Sequence, residues 1–243
     1  MWFSFITGLL PKNTQSEDLQ IVKVPSYSIR AVLSNLYMVL AKTRLDHSEF
    51  LWRFIDYTKL SYRFKHTWRD YARKGISTIF DEIKPSIALF VPTYTPFTER
   101  KFVTLVNAIG NPAMERLYVY HEYKNLKKQI NILFRNLKRR LPWRLFMVYF
   151  SFTDHLGHLY RGNLSKMRRI YALADRLAHS VKSFLPEDAL FLIISDHGMR
   201  PAFKGSRYGV HSEYGFYSLN VPLRLKYPKI QDFPYILKRV LKG

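Results

Sequence analysis

The sequence predicts an α/β fold: a three-layer sandwich with a mostly parallel central sheet. Three observations carry this. Two unbroken apolar runs, Leu145–Phe152 and Leu190–Ile194, have the length and composition of strands covered on both faces. Segments of helical period, Met114–Leu141 and Asn163–Phe184, alternate with them. Side chains able to bind metal follow both runs directly, at the carboxyl ends where open α/β sheets place their sites.

The elements follow in order. Ser26–Leu45 and Glu49–Lys74 read as helices, with Ser28 and Asp46 or Ser48 as caps. Ser86–Val91 reads as a short strand ended by Pro92, and Pro96 keeps the next residues in a loop. Met114–Leu141 sets Leu117, Tyr120, Leu126, Ile130, Leu133, Phe134 and Leu137 on one face. Its opposite face collects Lys124, Lys127, Lys128, Arg135, Lys138, Arg139 and Arg140, with Arg144 just beyond. Asn163–Phe184 carries an apolar stripe through Leu164, Met167, Ile170, Tyr171 and Leu177. Leu190–Ser195 is a strand, Glu213–Asn220 a less regular one, and Phe233–Leu241 a closing helix. There is no internal repeat and no low-complexity linker, so residues 1–243 read as a single domain.

Composition narrows the class. Hydrophobic residues at 47% are enough for a packed core, and no apolar run approaches the ~20 residues that span a bilayer. The apolar start Met1–Leu10 has neither a basic flank nor a small-residue cleavage site, so a cytoplasmic location is the expectation. The absence of Cys excludes disulfides and thiolate metal sites. Thirty-nine Lys and Arg against 18 acids give a net charge of +21. A field of that sign attracts polyanions. The basic helix face therefore reads either as nonspecific nucleic-acid association or as an ordinary solvated face, and no helix-turn-helix, RNP or zinc-finger pattern sharpens the first.

The chemistry concentrates in Asp154-His155-Leu156-Gly157-His158, in Ser195-Asp196-His197-Gly198-Met199, and in His211. Carboxylate and imidazole donors together favour Zn²⁺, with Mn²⁺ or Fe as alternatives. The candidate metal ligands are Asp154, His158, Asp196, His197 and His211. His155 falls between the motif positions and reads as structural, as do His47, His66, His121 and His179. Lys204 and Arg207, in the loop before His211, are candidates for meeting a substrate phosphate, or are surface charges.

Taken in order, these residues closely resemble the alkaline phosphatase superfamily, nearest to its type I phosphodiesterase/nucleotide pyrophosphatase branch. Tyr171 and Asp175 on the intervening helix, and Gly215–Asn220 after the last His, agree with it. The resemblance implies an alkaline phosphatase-like fold and two divalent metal ions. The equivalents of Asp154, His158 and His211 hold one, and those of Asp196 and His197 the other. It implies hydrolysis of a phosphodiester or phosphoanhydride in a phosphate-ester substrate by a two-metal mechanism. It also implies a further Asp and a Thr or Ser nucleophile. Trp2–Pro11 resembles the stretch that follows that nucleophile, with Asn13-Thr14 where the family has His-Gly. On that register the nucleophile lies upstream of Met1, so impaired activity is the expectation, and Ser4, Thr7 and Thr14 read as structural. Two other outcomes stay open. One is a sister hydrolase (a phosphomonoesterase, a phosphoglycerate mutase-like enzyme or a sulfatase), and the other a non-catalytic relative that binds nucleic acid or nucleotides.

Overall fold

A computed structural model of the chain describes residues 2–9, 73–92, 94–95, 105, 108–139, 141–223 and 225–242. The helices expected over Ser26–Leu45 and Glu49–Lys74 lie outside the described residues, apart from Arg73 and Lys74. The described elements are α1 (Trp2–Thr7), α2 (Ile79–Glu82), β1 (Ser86–Leu89), α3 (Pro112–Lys138), β2 (Leu145–Val148), α4 (Phe152–Tyr160) and α5 (Leu164–Lys182). They continue with β3 (Leu192–Ser195), β4 (Met199–Pro201), β5 (Gly209–His211), β6 (Phe216–Leu219), a 3₁₀ turn (Ile230–Asp232) and α6 (Phe233–Lys242). The chain falls into two compact units, one of residues 1–14, 66–96 and 122–243, the other of 15–65 and 97–121. Every candidate site residue belongs to the first.

Strands and helices alternate as the hydrophobic periods require, and the class is α/β. β1 and β2 pair in parallel, Ser86 opposite Leu145 and Leu89 opposite Val148. β3 pairs antiparallel with β6, and β4 antiparallel with β5. Along β3, Leu192 and Ile194 are half-buried whereas Ile193 and Ser195 are exposed. Its apolar run thus covers one face, not two, among the described residues. Phe5 and Ile6 of α1, Ile79 and Phe80 of α2, and Phe233 and Leu237 of α6 form a buried cluster. Met147 of β2, Leu192 and Ile194 of β3 and Tyr217 of β6 pack against it. Each such side chain contributes about 1.5–3 kcal/mol when fully buried.

Two sequence expectations need correction. The run Leu145–Phe152 is not one strand: β2 ends at Val148, and Phe152 opens α4. Phe152, Leu156, Leu159 and Tyr160 are all buried, at the i, i+4, i+7, i+8 spacing of one helix face, and that period wins over the extended conformation. On α3 the inward stripe is also displaced. Leu126 and Leu133 are buried as expected, but Leu117 and Tyr120 are exposed and Glu115 and Glu122 point inward. A buried acid is tolerated where it finds a partner, and Glu122 finds His155.

Candidate metal centre

Three local structures converge on the site. Asp154 and His158 stand one turn apart on α4, on the same side of the helix. β3 ends at Ser195 and delivers Asp196 and His197 at its carboxyl end. Ser195 Oγ donates to the His197 carbonyl at 2.6 Å, tightening this corner. β4 and β5 then form a short hairpin in which His211 lies opposite Met199. Gly198 N donates to the Tyr214 carbonyl at 2.7 Å, and Ser212 N donates to the Gly198 carbonyl at 3.0 Å. These bonds tie the His197 and His211 segments together. Glycine allows α4 to lie against the hairpin: a Cβ on Gly209 would fall 2.6 Å from the Gly157 carbonyl oxygen and 2.7 Å from Met199 Cγ.

The result is one cluster around Asp154 Oδ1. His211 Nε2 is 3.2 Å away, His158 Nε2 3.4 Å and His197 Nε2 4.0 Å. Asp196 Oδ1 lies 3.6 Å from His197 Nε2, and the His158 and His211 Nε2 atoms are 3.0 Å apart. The His197 and His211 rings stack with centroids 3.6 Å apart. Asp154 Oδ1 is buried and lacks a partner in hydrogen-bonding geometry. The Asp154, His158 and His211 donors therefore form a triangle with sides of 3.0–3.4 Å. Ligands ~2.0–2.1 Å from a tetrahedral zinc stand ~3.3 Å apart, so the triangle fits such an ion. Two backbone carbonyls select the imidazole tautomers. His158 Nδ1 lies 2.9 Å from Gly209 O, and His197 Nδ1 lies 3.1 Å from Gly198 O. With Nδ1–H donating in each case, both Nε2 lone pairs face the cluster.

A model of the family described as type I phosphodiesterase/nucleotide pyrophosphatase matches residues 1–214. The chain belongs to this family. No curated protein and no solved structure matches the chain. The family's name denotes hydrolysis of phosphodiesters and pyrophosphates, and in this member Asp154, His158 and His211 form a group able to hold a metal ion.

Electrostatics in this phosphodiesterase-family site follow from the crowding. Burial pushes the Asp154 carboxyl up, but the close approach of the His158 and His211 rings and the charges of His158 and His155 outweigh it. The carboxyl is held well below the usual range. Burial pushes His158 down, but the Asp154 carboxylate and the Gly209 carbonyl outweigh that and raise it above 6.5. The phenol of Tyr149 is pushed up by burial and by the charges of Asp154, Asp196 and Glu122.

The other expectations divide. Lys204 and Arg207 are exposed, and Arg207 places its guanidinium 4.9 Å from the Tyr208 ring centroid. Thr7 Oγ1 accepts from Leu9 N at 3.1 Å at the end of α1, and Ser4 is buried, both structural placements. Thr14 lies outside the described residues. His155 is not part of the cluster and lies 3.2 Å from Glu122. Sequence reasoning missed Glu122 and Tyr149. Glu122 sits on a helix read for its bases, and Tyr149 inside a run read as strand. An acid on an otherwise apolar stripe was the available signal for the first.

Among the described residues no helix is long and apolar enough to cross a membrane.

Proposed function

We propose that this chain hydrolyses phosphodiester or phosphoanhydride bonds with two divalent metal ions, zinc first, with manganese or iron as alternatives. Asp154, His158 and His211 hold one ion, and Asp196 and His197 the other, in a single alkaline phosphatase-like domain with a mostly parallel sheet. The observation that carries this reading is Asp154 Oδ1, buried without a hydrogen-bond partner while three imidazole nitrogens lie within 4.0 Å of it. A buried carboxylate oxygen is costly to leave in that state, and a cation among those donors removes the cost.

The ions supply neutralisation of the phosphate's anionic oxygens and an in-line clamp on the attacking and leaving oxygens. The chain's own residues hold the donors. Gly209 and Gly198 carbonyls fix the His158 and His197 tautomers, and the β4–β5 hairpin sets His211 against α4. With two protein donors against three, the Asp196–His197 site is the weaker one. Lys204 and Arg207, on the loop leading into β5, are proposed to meet the substrate's phosphate from outside the cluster.

Calorimetric titration of chelator-treated protein with Zn²⁺ or Mn²⁺ tests the reading. A tight and a weaker ion are expected, and His211→Ala should remove the tight one. Wild-type protein that binds neither metal would sink the proposal. Metal-dependent cleavage of nitrophenyl diester, monoester and sulfate substrates then sorts the chemistry. Preference for the diester supports the phosphodiesterase reading. Preference for the monoester or sulfate would transfer the chain to a sister phosphomonoesterase, mutase-like or sulfatase activity.

A second reading, nucleic-acid binding without turnover, rests on α3. Its two acids, Glu115 and Glu122, are buried, whereas Lys124, Lys127, Lys128, Arg135 and Lys138 are exposed.

A further inference from the structure

Behind the metal cluster lies a buried pair that the proposed chemistry does not use. Glu122 on α3 is 3% exposed, and its Oε2 lies 3.2 Å from Nδ1 of His155, an ion-pair contact rather than a hydrogen bond. His155 immediately follows Asp154 in the first turn of α4. Ser151, the N-cap of that turn, makes no side-chain capping bond. The first amides of a helix have no partners within it, so an uncapped first turn in a nine-residue helix is held chiefly by tertiary contacts. Phe152 anchors one side of the turn by burial, and the Glu122–His155 pair anchors another. The direction in which Asp154 points depends on how that turn is rotated. An error of a few tenths of an ångström would disturb the 3.2 and 3.4 Å separations from His211 and His158.

We propose that Glu122 is a positioning residue for the metal centre. Through His155 it fixes the first turn of α4, so that Asp154 Oδ1 faces His158, His197 and His211. This rests on the metal reading above. It adds that α3, a helix contributing no ligand, sets the affinity of the site. Outer residues that orient metal ligands typically change affinity 10–100-fold when removed.

The test must separate positioning from stability, because loss of one partner of a buried pair destabilises a fold by itself. Replacing both partners with apolar residues of similar size is close to neutral for stability. Zn²⁺ affinity and the visible spectrum of the Co²⁺-loaded protein are therefore measured for wild type, Glu122→Gln and the double variant Glu122→Leu/His155→Leu. The double variant is expected to melt close to wild type when metal-free. It should bind Zn²⁺ at least roughly tenfold more weakly and show an altered Co²⁺ spectrum. Glu122→Gln, which keeps the side chain's volume but removes the charge of the pair, should fall between wild type and the double variant. A double variant with wild-type Zn²⁺ affinity and Co²⁺ spectrum would overturn the proposal and leave the pair a packing device. Wild-type protein that binds no metal would instead remove the reading on which it rests.

Discussion

The carboxyl of Asp154 and the ring of His158 move each other's proton equilibria in opposite directions, and this sets the sign of the site's pH dependence. Burial disfavours both charged forms, but their mutual contact prevails. Asp154, depressed from 3.8, contributes stability that is present above that value and lost as the pH falls toward its folded value. His158, raised from 6.5, contributes stability that is complete below 6.5 and lost as the pH rises through its folded value. The pair thus stabilises metal-free protein most between these limits. The difference in melting temperature between wild type and His158→Gln isolates this from the self-repulsion of a +21 chain. It should be largest near pH 5–6 and shrink toward pH 9, and a difference that grows toward pH 9 would contradict the pairing. A metal ion competes with the His158 proton, so Zn²⁺ affinity should rise with pH through the same range. The five cluster residues are legible in sequence because acids and imidazoles recur at short fixed intervals behind apolar runs. Glu122 is not, because its partner is 33 positions away and only the tertiary fold brings the two side chains together.

Among the elements, α4 and the β4–β5 hairpin make the site, and neither was visible in the hydrophobic pattern. Tyr149 and Phe150 prolong the apolar run past the end of β2, which hides the change from strand to helix. The hairpin strands are three residues each, too short to show alternation. Glycine marks their meeting. Gly209→Ala would place a Cβ 2.6 Å from the Gly157 carbonyl oxygen, so α4 or β5 must move. The expected cost is about 1–3 kcal/mol of stability, as for other overpacked sites. Because Gly209 also holds His158 Nδ1 at 2.9 Å, Zn²⁺ affinity should fall with it. Unchanged melting temperature and unchanged affinity would show that α4 has room to shift. The longer elements were easier to read: α3, α5 and α6 lie within three residues of their expected ends, since each spans enough side chains for its period to dominate.

At the scale of the molecule the surplus of cations has its clearest outlet on α3. Its acids are turned inward while Lys124, Lys127, Lys128, Arg135 and Lys138 face solvent. If this face docks nucleic acid, binding of a single-stranded oligonucleotide should fall by roughly 10³-fold or more between 50 and 200 mM salt, provided six or more phosphates are neutralised. Lys124→Glu/Lys128→Glu should weaken it further. Salt-insensitive binding, or no effect of charge reversal, would identify a solvated helix face. Composition and periodicity pointed to the α/β class, the resemblance of the motifs pointed to the family, and spacing marked Asp154, His158, Asp196, His197 and His211 as candidate ligands. These depend on residue type and on periods of a few residues, which a linear sequence displays. Tertiary structure alone decided that Asp154 Oδ1 is the centre of the cluster, that two glycine carbonyls fix the imidazole tautomers, and that α3 reaches α4 through Glu122 and His155. Those facts are distances between residues far apart in the chain, and only packing determines them.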